Sequence, residues 1–144
     1  PEDRIKDLEK FAADYKGRSQ AIFAQFHAAG LLVQDGKIEP AVAIYDAVSK
    51  DSSIETIFRQ LADLMAVQVQ MDKGDAAALD ARLEPLLIEN GTWRFTAMEY
   101  RGFLALKAGN KNKARQIFTE LSQNAEVPKS LSERAADMQR YLAE

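Results

Sequence analysis

The sequence has 144 residues, a formal net charge of −3, 28% charged residues and no cysteine. A single domain of this length buries roughly two-thirds of the surface that its unfolded chain exposes, so no metal or disulfide is needed for stability. The lack of cysteine excludes a disulfide framework, a thiolate-ligated zinc site and a cysteine nucleophile. Because charges of both signs are mixed along the chain, no basic footprint for nucleic acid or an anionic membrane surface is present.

No uninterrupted apolar run approaches the roughly 20 residues that cross a bilayer, and no segment is typical of a cleavable signal. The chain begins Pro1-Glu2-Asp3, without an initiator methionine. This start fits a fragment of a longer protein, in which any membrane anchor would lie upstream.

Residues 1–17 predict an amphipathic N-terminal helix, because apolar residues recur every three or four positions and charges fill the other face. The apolar residues are Ile5, Leu8, Phe11, Ala12 and Tyr15. Residues 19–34 are instead apolar on nearly every face, so we expect this helix to be covered on several sides. A turn at Asp35-Gly36 and a helix to Lys50 complete a first helical hairpin over residues 19–50.

The second predicted hairpin covers residues 54–89. A long helix runs from Ile54 to about Lys73, the chain turns at Gly74-Asp75, and a helix returns to about Glu89. Pro85 lies inside the returning helix, where it removes a hydrogen bond and predicts a kink near Ala81 and Arg82.

Residues 92–124 form the clearest predicted hairpin, and residues 130–143 predict a capping helix after Pro128. The turn glycines Gly36, Gly74 and Gly109 are spaced 38 and 35 residues apart, close to the roughly 34-residue period of tetratricopeptide repeats. In the first and third hairpins, two small residues and an aromatic recur at one spacing: Ala29, Ala41 and Tyr45, then Gly102, Ala114 and Phe118. The second hairpin keeps the spacing alone, with Val67, Leu79 and Leu83. In such a pattern the small residues let two helices approach closely, and the aromatic fills the gap beside them.

The predicted fold is therefore all-α: a tetratricopeptide-like right-handed superhelix of three helical hairpins, with an N-terminal amphipathic helix and a C-terminal capping helix. We expect residues 1–144 to form a single tetratricopeptide-like domain. Such scaffolds usually bind other proteins rather than catalyse reactions.

Within the tetratricopeptide-repeat proteins, the chain resembles the periplasmic domain of bacterial inner-membrane proteins described as ancillary subunits of the Sec translocon. The resemblance covers roughly Ser19 to the end. It is carried by Asp35-Gly36-Lys37 through Ala41 to Tyr45, Arg82-Leu83-Glu84-Pro85-Leu86, Trp93-Arg94 with Ala97 and Glu99, Leu106-Lys107-Ala108-Gly109-Asn110, and then Pro128, Leu131, Arg134-Ala135 and Met138.

The resemblance implies a non-catalytic protein-protein interaction domain at the periplasmic face of the inner membrane. Its implied partners are the translocon, translocating chains and periplasmic chaperones. The membrane segment of that family is missing from this chain. The alternative is a general scaffold or oligomerisation adaptor, in cytosol or periplasm, whose groove is permanently filled.

The residue pattern gives little support for an enzyme or a cofactor. His27 is the single histidine, and without companions at metal-ligand spacing we interpret it as a partly buried histidine with a local hydrogen bond. Neither a phosphate-binding glycine loop nor a dinucleotide fingerprint is present. Replacing His27 with loss of function but an intact fold would support an enzyme or metal-binding domain instead.

Several charged or aromatic residues permit both a structural and a binding interpretation. Arg94 with Glu99, and Arg59 with Asp63, favour ion pairs within a helix and between adjacent helices. The cations Lys107, Lys111, Lys113 and Arg115 surround one turn, where we favour solvated charges over a site for an acidic partner. Trp93 fits an interface anchor and a hairpin junction equally well.

The repeat register predicts an inner groove lined by the first helix of each hairpin. The candidate protein-binding residues are Phe23, Phe26, Val33, Leu61, Leu64, Met71, Glu99, Phe103 and Leu106, and the same register includes Gly30, Gln68 and Thr96. An open groove this apolar exceeds what a monomer usually exposes. We favour coverage by the N-terminal helix, with a second copy in a homodimer or a client segment as alternatives.

Overall fold

The computed structural model describes residues 2–144 of the chain, and within them all regular structure is helical. The elements are α1 (Glu2–Asp14), α2 (Ser19–Gln34), α3 (Ile38–Lys50), α4 (Thr56–Gln70), α5 (Ala76–Leu83), a 3₁₀ turn (Glu84–Leu86), α6 (Arg94–Lys107), α7 (Lys111–Gln123) and α8 (Lys129–Ala143). The all-α prediction is confirmed.

The chain divides into two compact units, the first ending at Asp72 and the second beginning at Lys73. The division falls between the two helices of the predicted second hairpin. The single domain over residues 1–144 therefore stays a prediction.

In the first unit, α2 packs against α1 and α3, and α4 packs against α3 and α2. The small-small-aromatic set of the first hairpin lies at its centre, since Ala29, Ala41 and Tyr45 are all buried. Burial raises the pKa of the Tyr45 phenol. The core around them is Ile5, Ile22, Ala28, Ala29, Leu32, Ala41, Tyr45, Val48, Ile54, Ala62 and Ala66.

In the second unit, α6 packs against α5 and α7, and α8 packs against α7 and α6. Gly102 is buried, and a Cβ atom added there would lie 2.6 Å from Cζ of Phe118. The aromatic ring therefore occupies the space that the missing side chain leaves, as the repeat pattern predicts. The core is Ala105, Ala114, Phe118, Leu121, Val127, Leu131, Ala135 and Leu142.

Two predicted turns share one geometry. Gly36 and Gly109 have φ angles of +75° and +76°, which L-residues with a side chain rarely adopt. The amide of the residue after each glycine donates to a carbonyl five residues earlier, Lys37 to Leu32 and Asn110 to Ala105. This pattern is a Schellman motif, which ends α2 and α6 and reverses the chain.

The prediction of one kinked helix to about Glu89 is wrong. Helix α5 ends at Leu83, and Pro85 lies in the 3₁₀ turn that follows. The proline has no amide hydrogen for Ala81, and its ring crowds the preceding backbone, so the α-helix stops rather than bends.

Candidate functional site

An exposed strip runs along α2, the helix expected to be covered on several sides. Its other faces are buried through Ala21, Ile22, Ala24, Ala28, Ala29 and Leu32. Gln20, Phe23, His27 and Gln34 are exposed along the strip. The expectation of a partly buried His27 is wrong, because its position in the helical repeat faces solvent.

Phe23 is the most prominent apolar side chain of this strip, with 58% of its surface exposed. Its ring meets that of Phe58 from α4 edge to face, with centroids 5.8 Å apart. Ile57, next to Phe58, is also exposed. The first unit therefore carries an apolar surface built from α2 and the start of α4, which consists of Phe23, Ile57 and Phe58. Of these three residues, the repeat register predicted only Phe23.

The other candidate groove residues of the first unit are less accessible. Phe26 and Val33 pack against the core, and the Phe26 ring lies 5.9 Å from that of Tyr45. Leu61 and Met71 are half-buried. Leu64 is buried, so it contributes no surface to a groove in this structure.

Helix α1 does not cover Phe23. It packs on α2 through Ile5, Leu8 and Ala12, which join the clusters formed by the buried faces of α2. Phe11 and Tyr15 stay exposed, with ring centroids 4.6 Å apart. The N-terminal helix thus packs on α2 through three of the five residues of its predicted apolar stripe.

In the second unit, the candidates Phe103 and Leu106 pack partly against the core. The Phe103 ring lies 5.3 Å from the ring of Phe118. Both side chains retain partial exposure, so they remain candidate contact residues of this unit taken by itself.

Glu99, the third candidate in this unit, holds a neighbouring helix. Its carboxylate is buried and accepts two hydrogen bonds from Arg134 of α8, at 2.8 Å from Nη2 and 3.2 Å from Nε. Burial and, secondly, the Glu99 charge raise the pKa of the Tyr100 phenol. The structural interpretation, a salt bridge between helices, is the one that the structure supports for Glu99.

Arg94, which the sequence placed with Glu99, lies over the ring of Phe95 at 5.3 Å from its centroid. Arg59 donates to the Ile54 carbonyl and to the Thr56 hydroxyl, while Asp63 accepts from the Ser49 hydroxyl. Trp93 is half-buried at the N-cap of α6. The contacts of Arg94, Arg59 and Asp63 are with other residues of the same unit, and they support a structural interpretation of these charged residues.

A second ion-pair network links α5, α6 and α7. Arg101 donates to both carboxylate oxygens of Asp80, at 2.7 and 2.9 Å, and its Nη1 lies 3.2 Å from Glu84. Lys113 approaches the same Asp80 at 3.6 Å. The hydrogen bond from Arg101 holds the pKa of the Asp80 carboxyl below its usual range.

Two further cations of the predicted basic cluster also have structural partners. Lys107 donates to the Gly74 carbonyl at 2.9 Å, and Arg115 donates to the Leu142 carbonyl at 2.6 Å. Lys113 lies near Asp80, so three of the four cations that were expected to be solvated charges contact other residues of the domain.

Over residues 2–144, the structure contains no group of three or more His, Asp or Glu side chains placed to hold a metal ion. Across the same residues, no helix is both long enough and apolar enough to cross a membrane.

A family model described as a tetratricopeptide repeat-like domain matches residues 2–138. The chain belongs to this family. The match covers nearly the whole sequence, and with the all-helical structure it accounts for the repeated helical pairs. Domains of the family generally mediate protein-protein interactions. A search of curated proteins and a search of solved structures each gave no significant match.

Proposed function

We propose that this tetratricopeptide repeat-like domain binds a protein partner through the exposed strip of α2, with Phe23 as the main contact residue. The observation that carries the proposal is the exposure of Phe23 beside Ile57 and Phe58. Exposed aromatic side chains are common anchors of protein interfaces, because each buries a large apolar area at low entropic cost. Covering the Phe23 ring fully is worth on the order of 1–2 kcal/mol, given that part of it is already buried.

In-cell photo-crosslinking tests this proposal. A photoreactive phenylalanine analogue at position 23 should give discrete crosslinks to a partner, whereas the same residue at position 10 should not. Lys10 is a matched control, since it is 80% exposed but lies on a charged face of α1. Equal crosslinking from both positions, or none from position 23, would contradict the proposal.

We propose further that this domain is the periplasmic part of a factor tethered to the inner membrane, where it acts with the Sec translocon and periplasmic chaperones. The support is the resemblance carried by the turn Asp35-Gly36-Lys37, the stretch around Pro85 and the run Leu106-Lys107-Ala108-Gly109-Asn110. The residues encoded immediately upstream of Pro1 test it. An apolar stretch of roughly 20 residues would support the tether, and a hydrophilic sequence there would refute it.

A further inference from the structure

Gly30 lies in the interior of α2, and the packing of the protein does not require it. A Cβ atom added to Gly30 would meet no heavy atom within 4 Å, whereas one added to Gly102 would collide with Phe118. Glycine weakens a helix interior relative to alanine, because it loses more conformational freedom on folding. Gly30 therefore lowers the stability of α2 in the free protein, and no close packing against it compensates for this loss.

Gly30 belongs to a regular set of positions on the exposed strip. Gln20, Phe23, His27, Gly30 and Gln34 are spaced three, four, three and four residues apart. This is the spacing of residues that form the contact line between two packed helices. We call these five residues the α2 seam.

The α2 seam is uncharged, and so is the whole of α2 from Ser19 to Gln34, in a chain with 28% charged residues. A charged group buried against Phe23 and Gly30 would find no counter-ion on this helix, which is unfavourable. The seam therefore selects a partner surface that is apolar or neutral.

The backbone of the partner must also satisfy its own hydrogen bonds. An extended segment presents an amide and a carbonyl at every residue, and the seam offers only two glutamines and one histidine as polar side chains. A helix pairs these backbone groups internally. A small residue at the crossing point lets two helix backbones approach closely, which gives Gly30 a role.

We propose that the α2 seam binds an amphipathic helix of another protein through that helix's uncharged apolar face, with the crossing point at Gly30 and Phe23 inserted between its side chains. The proposal rests on the proposed function and names the kind of partner. In this kind of recognition a helix lays its apolar face against a complementary surface.

Fluorescence anisotropy with two labelled 18-residue peptides tests the proposal on the full chain. The first peptide contains only Ala, Leu and Gln, with leucines at three- and four-residue spacing so that it forms an amphipathic helix. The second has the same composition except for two central prolines, which prevent the helix. We expect saturable binding of the first peptide alone, with a dissociation constant that changes less than about twofold between low and high salt.

Gly30→Leu should weaken binding of the helical peptide by at least about tenfold, because its side chain fills the crossing point. Ala43→Leu adds the same side chain to an exposed position of α3 and should leave binding within about twofold. Gly30→Leu should keep the circular dichroism spectrum of the parent and have a Tm equal to or slightly above that of the parent, since open space surrounds the position and leucine favours helix.

Four results would overturn the proposal: wild-type affinity in Gly30→Leu, equal binding of the proline peptide, no binding of the helical peptide, or a steep loss of affinity with salt. Sedimentation analysis tests for a further contradicting result. A dimer that Gly30→Leu disrupts would show that a second copy of the chain occupies the seam. If position 23 crosslinks to a partner in cells while Gly30→Leu has no effect on that crosslink, the proposed function stands and this inference fails.

Discussion

Helices α2 and α6 begin the first and third hairpins of the repeat pattern, but they differ in the surroundings of their interior glycine and in their charged residues. Gly102 of α6 is covered by Phe118, whereas Gly30 of α2 faces open space. Two of the four charged residues of α6 are held in ion pairs, Glu99 with Arg134 and Arg101 with Asp80, and α2 has no charge at all.

The neutrality of α2 does not reflect a neutral environment. Residues 1–72 contain eight basic and twelve acidic residues, whereas residues 73–144 contain eleven and ten. The exposed strip of α2 has no charge although it lies in the more acidic half of the chain, which fits the contact surface proposed above, because solvent-facing helix surfaces normally carry charge. Helix α6 therefore supports the fold, and α2 carries the surface that we propose for recognition.

Gly102→Leu gives the largest expected effect. The added side chain must displace the Phe118 ring, so we expect a loss of about 2–3 kcal/mol in the free energy of unfolding, measured by urea denaturation. Gly30→Leu is the matched control and should lose almost nothing. Equal stability of the two variants would show that the register of the third hairpin is wrong.

Glu99→Gln should cost about 1–2 kcal/mol, since it removes the charge that Arg134 contacts and leaves a buried amide in its place. The cost stays moderate because the Arg134 side chain is 57% exposed and water can replace part of the contact. A double-mutant cycle with Arg134→Gln measures the coupling. Additive effects of the two substitutions would exclude Glu99 and Arg134 as an energetically linked pair.

Asp80→Asn should cost about 1 kcal/mol at neutral pH, because Arg101 loses its ionised acceptor. The folded pKa of Asp80 is lowered from 3.8, so its contribution is present above the unfolded pKa and is lost as the pH falls through the lowered value. The stability difference between wild type and Asp80→Asn should therefore shrink below about pH 4. Urea denaturation from pH 7 to pH 3 measures it, and a constant difference would contradict this account.

Gly30→Ala should give the smallest effect, and in the opposite direction. Alanine fits the open position and favours the helix, so we expect a gain of about 0.5–1 kcal/mol. Thermal unfolding measures the gain, with Gly36→Ala as a control that should destabilise, because the φ angle there is +75°. A destabilised Gly30→Ala would reveal a packing role for this glycine.

Local pattern predicted much of the fold. The spacing of apolar residues gave the helices, and the turn glycines Gly36 and Gly109 gave their ends, because the underlying physics acts within a few residues. The fit of Gly102 to Phe118 also followed from a fixed spacing within one hairpin. The end of α5 was missed, because sequence alone does not decide whether a proline bends a helix or stops it.

The candidate site was less predictable, because it depends on contacts between residues distant in sequence. Arg134 lies 35 positions from Glu99, and no local pattern pairs them. The side of α2 that α1 covers is set by the fit of Ala21 and Ala24 to Leu8 and Ala12, which left Phe23 and His27 exposed. The lack of charge in α2, together with an interior glycine, was the available signal for that surface.

The early end of α5 also has a consequence for how the chain resists proteases. Between the 3₁₀ turn and α6, Ile88, Glu89 and Asn90 are exposed, and Asn90 has a φ angle of +61°. Exposed loops with small and polar residues are the backbone that proteases cut first. Limited digestion of the native protein should therefore produce its first nick here, which makes this loop the natural place to insert a tag or a cleavage site without disturbing α2.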